Sequence, residues 1–323
     1  CMRIKDLDDA AIRQLVSTAL DEGVTMFDHA DIYGGGHACE ERFGSALGWS
    51  SSDREQVILQ SKCGIRDGYF DFSAEHIASS VDETLRALRT DYLDVLLLHR
   101  PDALMEPQEI AEAFDSLAAS GKVRAFGVSN HSRGQLELLR SVVGQPLVAN
   151  QLQLSLTHAP IIAEGVALNM ADAQSIDRSG GILDYCRLTA TTVQAWSPMR
   201  GPGWDGPFLG DRARFPELND VVDRLAAEYQ VAPEAIATAW ITRHPADIQV
   251  VLGTTSPDRL RRSIPGSDSA PVVRAVPGSR AYRALILWIG GGDARYPQAS
   301  TRPMARRRTV GSCAAFPPPC RWP

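Results

Sequence analysis

Apolar positions in this chain recur in two rhythms, and the chain switches between them over most of its length. Where the spacing is near 3.6 residues it predicts helices. Ile12, Leu15, Val16, Ala19 and Leu20 share one face of a helix that Asp8 or Asp9 can cap and Gly23 ends. Ile77, Val81, Leu85 and Leu88 form a second such stripe behind a Ser73 cap, and Ser132 caps another helix running to about Val143. Further helices are expected over about 40–48, 107–119, 182–187, 217–229, 233–243 and 257–262. Between them lie apolar runs of strand length at 24–27, 57–61, 93–98, 123–128, 147–150, 191–196 and 248–252. Past Asp94, the run to Leu98 is apolar on both faces, the pattern of a strand buried inside a parallel sheet. Residues 155–178 read as a long polar excursion. Strand alternating with helix predicts a parallel sheet with helical crossovers.

Two α/β architectures meet that description. A doubly wound sheet carries a glycine fingerprint after its first strand, and Gly34-Gly35-Gly36 lacks the G-x-G-x-x-G spacing. Polar residues instead stand at the ends of successive strands: Asp28, Lys62, His99, Ser129-Asn130 and Ser197. That distribution predicts an α/β chain folded as a (β/α)8 TIM barrel, with its chemistry on the carboxyl rim. Cys1 to Ile4 reads as the tail of a strand, so the first strand of the barrel is expected to be truncated.

Composition changes after Ser263. Residues 264–323 hold nine arginines, no lysine, two acids and nine of the 20 prolines, so this segment carries +7 against −13 for the rest. The expected division is a barrel over 1–263 and an atypical, largely disordered Arg/Pro-rich tail over 264–323, in which 281–289 is the one candidate element. A frame-shifted translation is the alternative source of such a tail.

The apolar share of 44% and charged share of 22% are those of a soluble globular protein with ample core. The formal charge of −6 argues against a nucleic-acid partner. No apolar run approaches the ~18 residues of a membrane span, and no secretory leader is legible. The six cysteines are scattered without a CxxC pair, which speaks against a metal centre or a disulfide framework. A cytoplasmic protein with reduced thiols is the expectation. Lysine is scarce, at positions 5, 62 and 122 only, so the default cation here is arginine. A lysine at the end of a buried strand then suggests a need for a compact, tunable ammonium.

Taken singly, Asp28 reads as a helix cap, Tyr33 as a rim aromatic and His99 as a satisfied core histidine. Asp28, His29, Asp31 and His99 invite a metal-hydrolase reading, but the H-x-H strand pair is absent. Cys63 reads as a small buried residue.

Taken together, Asp28-x4-Tyr33-Gly34, Lys62, Leu97-Leu98-His99-Arg100-Pro101-Asp102 and Gly127-Val128-Ser129-Asn130 resemble the aldo-keto reductases, most closely the bacterial branch with the strand-end sequence HADIYGG. The likeness covers about residues 1–263. It implies a barrel that uses NADPH/NADP+ to reduce small-molecule aldehydes or ketones to alcohols. Such a reaction needs a hydride donor and a proton donor for the oxygen. A tyrosine hydroxyl, with an ordinary pKa near ~10, holds its proton at neutral pH, and a neighbouring ammonium makes it a better acid. By resemblance, Tyr33 is the acid, Lys62 the cation that lowers its pKa, Asp28 the partner of Lys62, and His99 the donor that orients the substrate oxygen. The likeness also implies that Ser129, Asn130 and Gln151 bond the nicotinamide carboxamide and that Trp196 stacks on its ring. Ser197, Met199 and Arg200 stand along the pyrophosphate, and Gly253, Thr254 and Arg259 around the adenosine 2′-phosphate. Arg262 and Ser263 depart from the Glu-Asn of many relatives against the adenine. An alternative of another class is a barrel that binds NADPH as a sensor and turns over little.

Overall fold

A computed structural model of the chain describes residues 1–171, 173–202 and 206–268. Seven strands form one parallel sheet in sequence order: β1 (Met26–Asp28), β2 (Ile58–Cys63), β3 (Leu93–Leu98), β4 (Val123–Ser129), β5 (Leu147–Gln153), β6 (Thr192–Trp196) and β7 (Gln249–Val251). Helices join them on the outside, and the sheet curls into a nearly closed (β/α)8-type barrel. No eighth strand appears among the described residues. Cys1 to Ile4 is not a strand, yet it lies between the two open edges. The Cys1 nitrogen donates to the Asp28 carbonyl at 2.6 Å, the Arg3 guanidinium reaches the Gly253 carbonyl, and Ile4 is buried.

The helix starts follow from local chemistry. Asp8 accepts from the Ala11 amide and caps Asp9–Asp21, while Ser73 accepts from the His76 amide and caps Ala74–Leu88. Ser132 and Gln135 exchange reciprocal bonds at the start of Arg133–Arg140. Three helices were not expected. Ser51–Arg54 is closed by a Ser50/Asp53 capping box, and Pro160–Val166 interrupts the excursion after β5, started by a proline that needs no donor. Pro265–Asp268 lies past the boundary expected at 263; Gly266 leaves no room for a side chain over the Ala235 carbonyl, and its own carbonyl accepts from Thr242 Oγ1 at 2.9 Å. Residues 269–323, with the expected disorder and the candidate element at 281–289, lie outside the described residues.

Strand alternation divides the side chains between two sides of the sheet. Phe27, Leu59, Cys63, Leu96, Leu98, Val128, Leu152 and Val193 belong to the buried cluster that the helices complete with Ile12, Val16, Ile77, Val81, Phe114 and Leu136. The alternate residues face the barrel interior, where the contents are largely polar. Gly127 marks a register shift between β4 and β5. A Cβ there would stand 2.7 Å from the Ala149 carbonyl, so only glycine lets the two strands approach.

Candidate active site

The carboxyl rim gathers the four residues expected to do the chemistry. Asp28 ends β1, Lys62 lies within β2, and His99 directly follows β3, its amide bonded to the Cys63 carbonyl at 2.9 Å. Lys62 is wholly buried, and its Nζ donates to Asp28 Oδ2 at 2.6 Å, to the His29 carbonyl at 2.7 Å and to Tyr33 Oη at 3.3 Å. All three ammonium protons are thereby used. The His99 ring stands edge-on to Tyr33, with centroids 5.9 Å apart.

Burial sets the protonation states. It pushes the Asp28 carboxyl up, but the Lys62 charge and the hydrogen bonds from Lys62 and Gln60 prevail, and the pKa ends below its ordinary value. Burial pulls the Lys62 ammonium down; Asp28 and then Tyr33 outweigh it, so the pKa is raised. For Tyr33, burial raises the pKa and the lowering by Lys62 does not overcome it. Lys62 thus acts in the expected direction, yet Tyr33 ends above its ordinary value, first because it is buried and second because the Asp28 carboxylate opposes the field of the ammonium. The phenol holds its proton at neutral pH. Burial, and secondarily Lys62, lowers His99 to about 3, so its imidazole is neutral.

Beneath this rim the barrel holds a chain of glutamines. Gln60, Gln194 and Gln249 stand two residues before Lys62, Trp196 and Val251, on the same face of their strands. Gln60 Nε2 donates to Asp28 Oδ1 at 2.6 Å and to Gln194 Oε1 at 2.9 Å, while Gln194 Nε2 returns a bond to Gln60 at 3.1 Å and reaches Gln249 at 2.9 Å. Gln151 Nε2 donates to Asp28 Oδ1 at 3.0 Å and to Gln194 at 3.1 Å. Of these four, sequence reasoning singled out Gln151 alone. In β2 and β6, a glutamine two positions before a candidate site residue was the available signal.

The residues expected at the nicotinamide also converge. Ser129 Oγ donates to the Gln151 carbonyl at 2.9 Å, Asn130 Nδ2 to Ser129 Oγ at 2.7 Å, and Trp196 Nε1 to Asn130 Oδ1 at 3.0 Å. Asn130 adopts φ 62, a left-handed conformation that asparagine tolerates better than most residues. With its Nε2 committed, Gln151 has only Oε1 left to offer a carboxamide. The bond from Nε1 holds the edge of the Trp196 indole, whose flat face is a surface suited to a planar heterocycle.

The outlying residues are more dispersed. Ser197 turns the chain at φ 54 after β6. The Met199 side chain packs with the apolar cluster of Leu156, Phe208 and Phe215, and its carbonyl accepts from the Phe208 amide at 3.1 Å. The Arg200 carbonyl accepts from Ser155 and Thr157 at 3.1 and 2.8 Å. Gly253 and Thr254 follow β7, and Arg259 stands exposed on the helix Pro257–Ser263, whose N-cap Ser256 accepts its amide.

A second buried polar cluster braces the loop that carries Tyr33. Glu40, fully buried, accepts from Ser61 Oγ, from Thr84 Oγ1 at 3.2 Å and from His37 Nδ1 at 2.5 Å. Asp31 accepts from Ser80 Oγ at 3.1 Å, and burial lifts its carboxyl to about 6. Among the described residues, no group of three or more His, Cys, Asp or Glu is placed to hold a metal ion, and no helix is long and apolar enough to cross a membrane.

Comparison with known proteins gives the family and the fold. The chain is 37% identical over 267 residues to the uncharacterized oxidoreductase YcsN of Bacillus subtilis, covering 79% of this chain and 82% of that one. It is 35% identical over 267 residues to a 6-dehydroglucose reductase of Agrobacterium fabrum, with the same coverage of 79% and 82%. An aldo-keto reductase from Klebsiella pneumoniae, crystallised with NADPH, superposes with a TM-score of 0.62 at 23% identity over 91% of this chain and 89% of that one, a likeness of fold. The family model described as the aldo/keto reductase family matches residues 2–268, and the chain belongs to that family.

Proposed function

We propose that the protein is an NADPH-dependent reductase of aldehydes or ketones in which Tyr33 protonates the carbonyl oxygen. The observation that carries this reading is the position of Lys62 Nζ, buried between Asp28 Oδ2 at 2.6 Å and Tyr33 Oη at 3.3 Å. When bound, NADPH supplies the hydride. The residues of the chain supply the rest. Tyr33 holds a proton at Oη in the ground state. As negative charge develops on the substrate oxygen, that proton moves across, and the phenolate left behind is stabilised by the Lys62 ammonium. Asp28 keeps Lys62 charged and in place. Neutral His99 offers a hydrogen bond to the substrate oxygen beside Tyr33 without competing as an acid.

The fit of Ser129, Asn130, Gln151 and Trp196 to a carboxamide-bearing planar ring supports a nicotinamide cofactor. Exposed Arg259 is offered as the residue that pairs with a 2′-phosphate and favours NADPH over NADH. The name of the Agrobacterium relative, a reductase of an oxidised sugar, fits a small carbonyl substrate.

The test is NADPH consumption by the purified chain with a panel of aldehydes and ketones, alongside NADPH binding followed by tryptophan quenching. Tyr33→Phe is expected to reduce turnover by roughly 10²–10⁴-fold while leaving NADPH binding intact. Turnover that survives this substitution would overturn the assignment. Tight NADPH binding with no oxidation of any substrate by the wild-type chain would favour the sensor reading instead.

A further inference from the structure

Arg100 directly follows His99, where the chain leaves β3 for the rim. Its guanidinium carbon lies 5.6 Å from the ring of Trp196, and its charge is felt by Tyr33. It therefore stands at the same opening as the proton donor, the orienting imidazole and the aromatic face.

Several arginines among the described residues meet a carboxylate. Arg54 pairs with Asp94 at 2.7 Å, Arg133 with Glu137 at 2.8 Å, Arg42 with Asp9 at 2.5 Å and Arg262 with Glu234 at 2.9 Å. Half-buried Arg100 has no carboxylate or carbonyl partner among the described residues, and the nearby acids are already committed. Asp28 is saturated by Gln60, Gln151 and Lys62. Asp102, two residues on, accepts from the Phe72 amide at 3.2 Å and the Leu104 amide at 2.8 Å. Burial pulls the pKa of this guanidinium down, and an anion bound to it would oppose that shift.

We infer that Arg100 binds a carboxylate on the substrate, so that the preferred substrates are oxo-acids or aldehyde-acids and not neutral carbonyl compounds. One guanidinium in a planar fork matches one singly charged carboxylate bidentately, whereas a doubly charged phosphate would call for a second cation. The inference rests on the reductase reading, with Tyr33 and His99 fixing the position of the carbonyl and Arg100 that of the acid group.

The experiment pairs substrates that differ in charge: 4-carboxybenzaldehyde against benzaldehyde, and 4-oxobutanoate against butanal and glyceraldehyde. Each is tested with the wild-type chain, Arg100→Leu and Arg100→Lys. The ratio of kcat/KM for acid over neutral partner is expected to exceed one, to fall about 10–100-fold in Arg100→Leu, and to recover in part in Arg100→Lys. Calorimetric titration with benzoate in the presence of NADP+ gives a readout independent of turnover. Wild type is expected to bind it and Arg100→Leu to bind it at least tenfold more weakly. Equal losses for acid and neutral substrates would assign Arg100 to holding Trp196 and overturn the inference, as would benzoate binding unchanged by Arg100→Leu. If no carbonyl compound of either kind is reduced, the reductase reading fails, and the benzoate titration still decides whether Arg100 receives an anion.

Discussion

Gln60 Nε2 lies 2.6 Å from Asp28 Oδ1, the same distance that separates Lys62 Nζ from the other oxygen of that carboxylate. Two residues on one face of β2 therefore hold both oxygens of Asp28, and the carboxylate cannot rotate away from the ammonium without breaking one of these bonds. Gln60→Leu removes one of the two donors to Asp28 Oδ1 and one of the two donors to Gln194 Oε1, leaving Gln151 as the glutamine that still serves both. It should cost about 1–3 kcal/mol of stability and lower turnover more than it lowers NADPH affinity. Chemical denaturation with a parallel kinetic assay checks this, and a variant as stable and active as wild type would show that Gln151 alone suffices to hold Asp28.

The Lys62–Asp28 pair is buried, with side-chain exposures of 0% and 12%. Lys62→Met strands a desolvated carboxylate and should cost about 3–5 kcal/mol. Adding Asp28→Asn to it should restore part of that loss, because the uncompensated charge is gone. A double-mutant cycle reports the coupling directly, and additive losses would mean that the two charges do not interact as the distance implies.

His99, lowered to about 3 by burial, is neutral from mildly acid pH upward. Its folded pKa lies below the ordinary 6.5, so as pH falls the unfolded chain takes up a proton first. Stability contributed by the neutral imidazole is present above 6.5 and is lost as pH falls toward 3. Between about pH 5 and 8 the kcat/KM profile should have no step from this residue. The profiles of wild type and His99→Gln should run parallel there, and a step near pH 6.5 found in wild type alone would contradict it.

Asp31 has the opposite sign. Burial raises its carboxyl from 3.8 to about 6, so over that interval the folded chain retains a proton that the unfolded chain has released. Its contribution is full below 3.8 and falls by about 3 kcal/mol as pH rises through 6. Asp31→Asn should flatten that part of the stability profile and gain on wild type at neutral pH. Melting curves of the two proteins from pH 4 to 7 decide it, and parallel profiles would show that Asp31 ionises normally.

Much of this protein is written in local pattern. The strand–helix alternation, the caps at Asp8, Ser73 and Ser132, and the order of Asp28, Tyr33, Lys62 and His99 are properties of neighbouring residues, and periodicity or motif spacing reports them. Tertiary structure decided what depends on distant segments meeting. Period two places Gln60 with Lys62 and Gln194 with Trp196, but only the curling of the sheet turns those faces inward and brings residues 134 positions apart within 2.9 Å. Burial, which no single strand reveals, leaves Tyr33 above its ordinary pKa despite the ammonium beside it. The short helices Pro160–Val166 and Pro265–Asp268 carry too few residues for a period to emerge, and the second is held by its contact with Pro233–Thr242. Whether Arg100 has an internal partner is likewise settled by where every nearby carboxylate spends its oxygens, and that is a property of the assembled site.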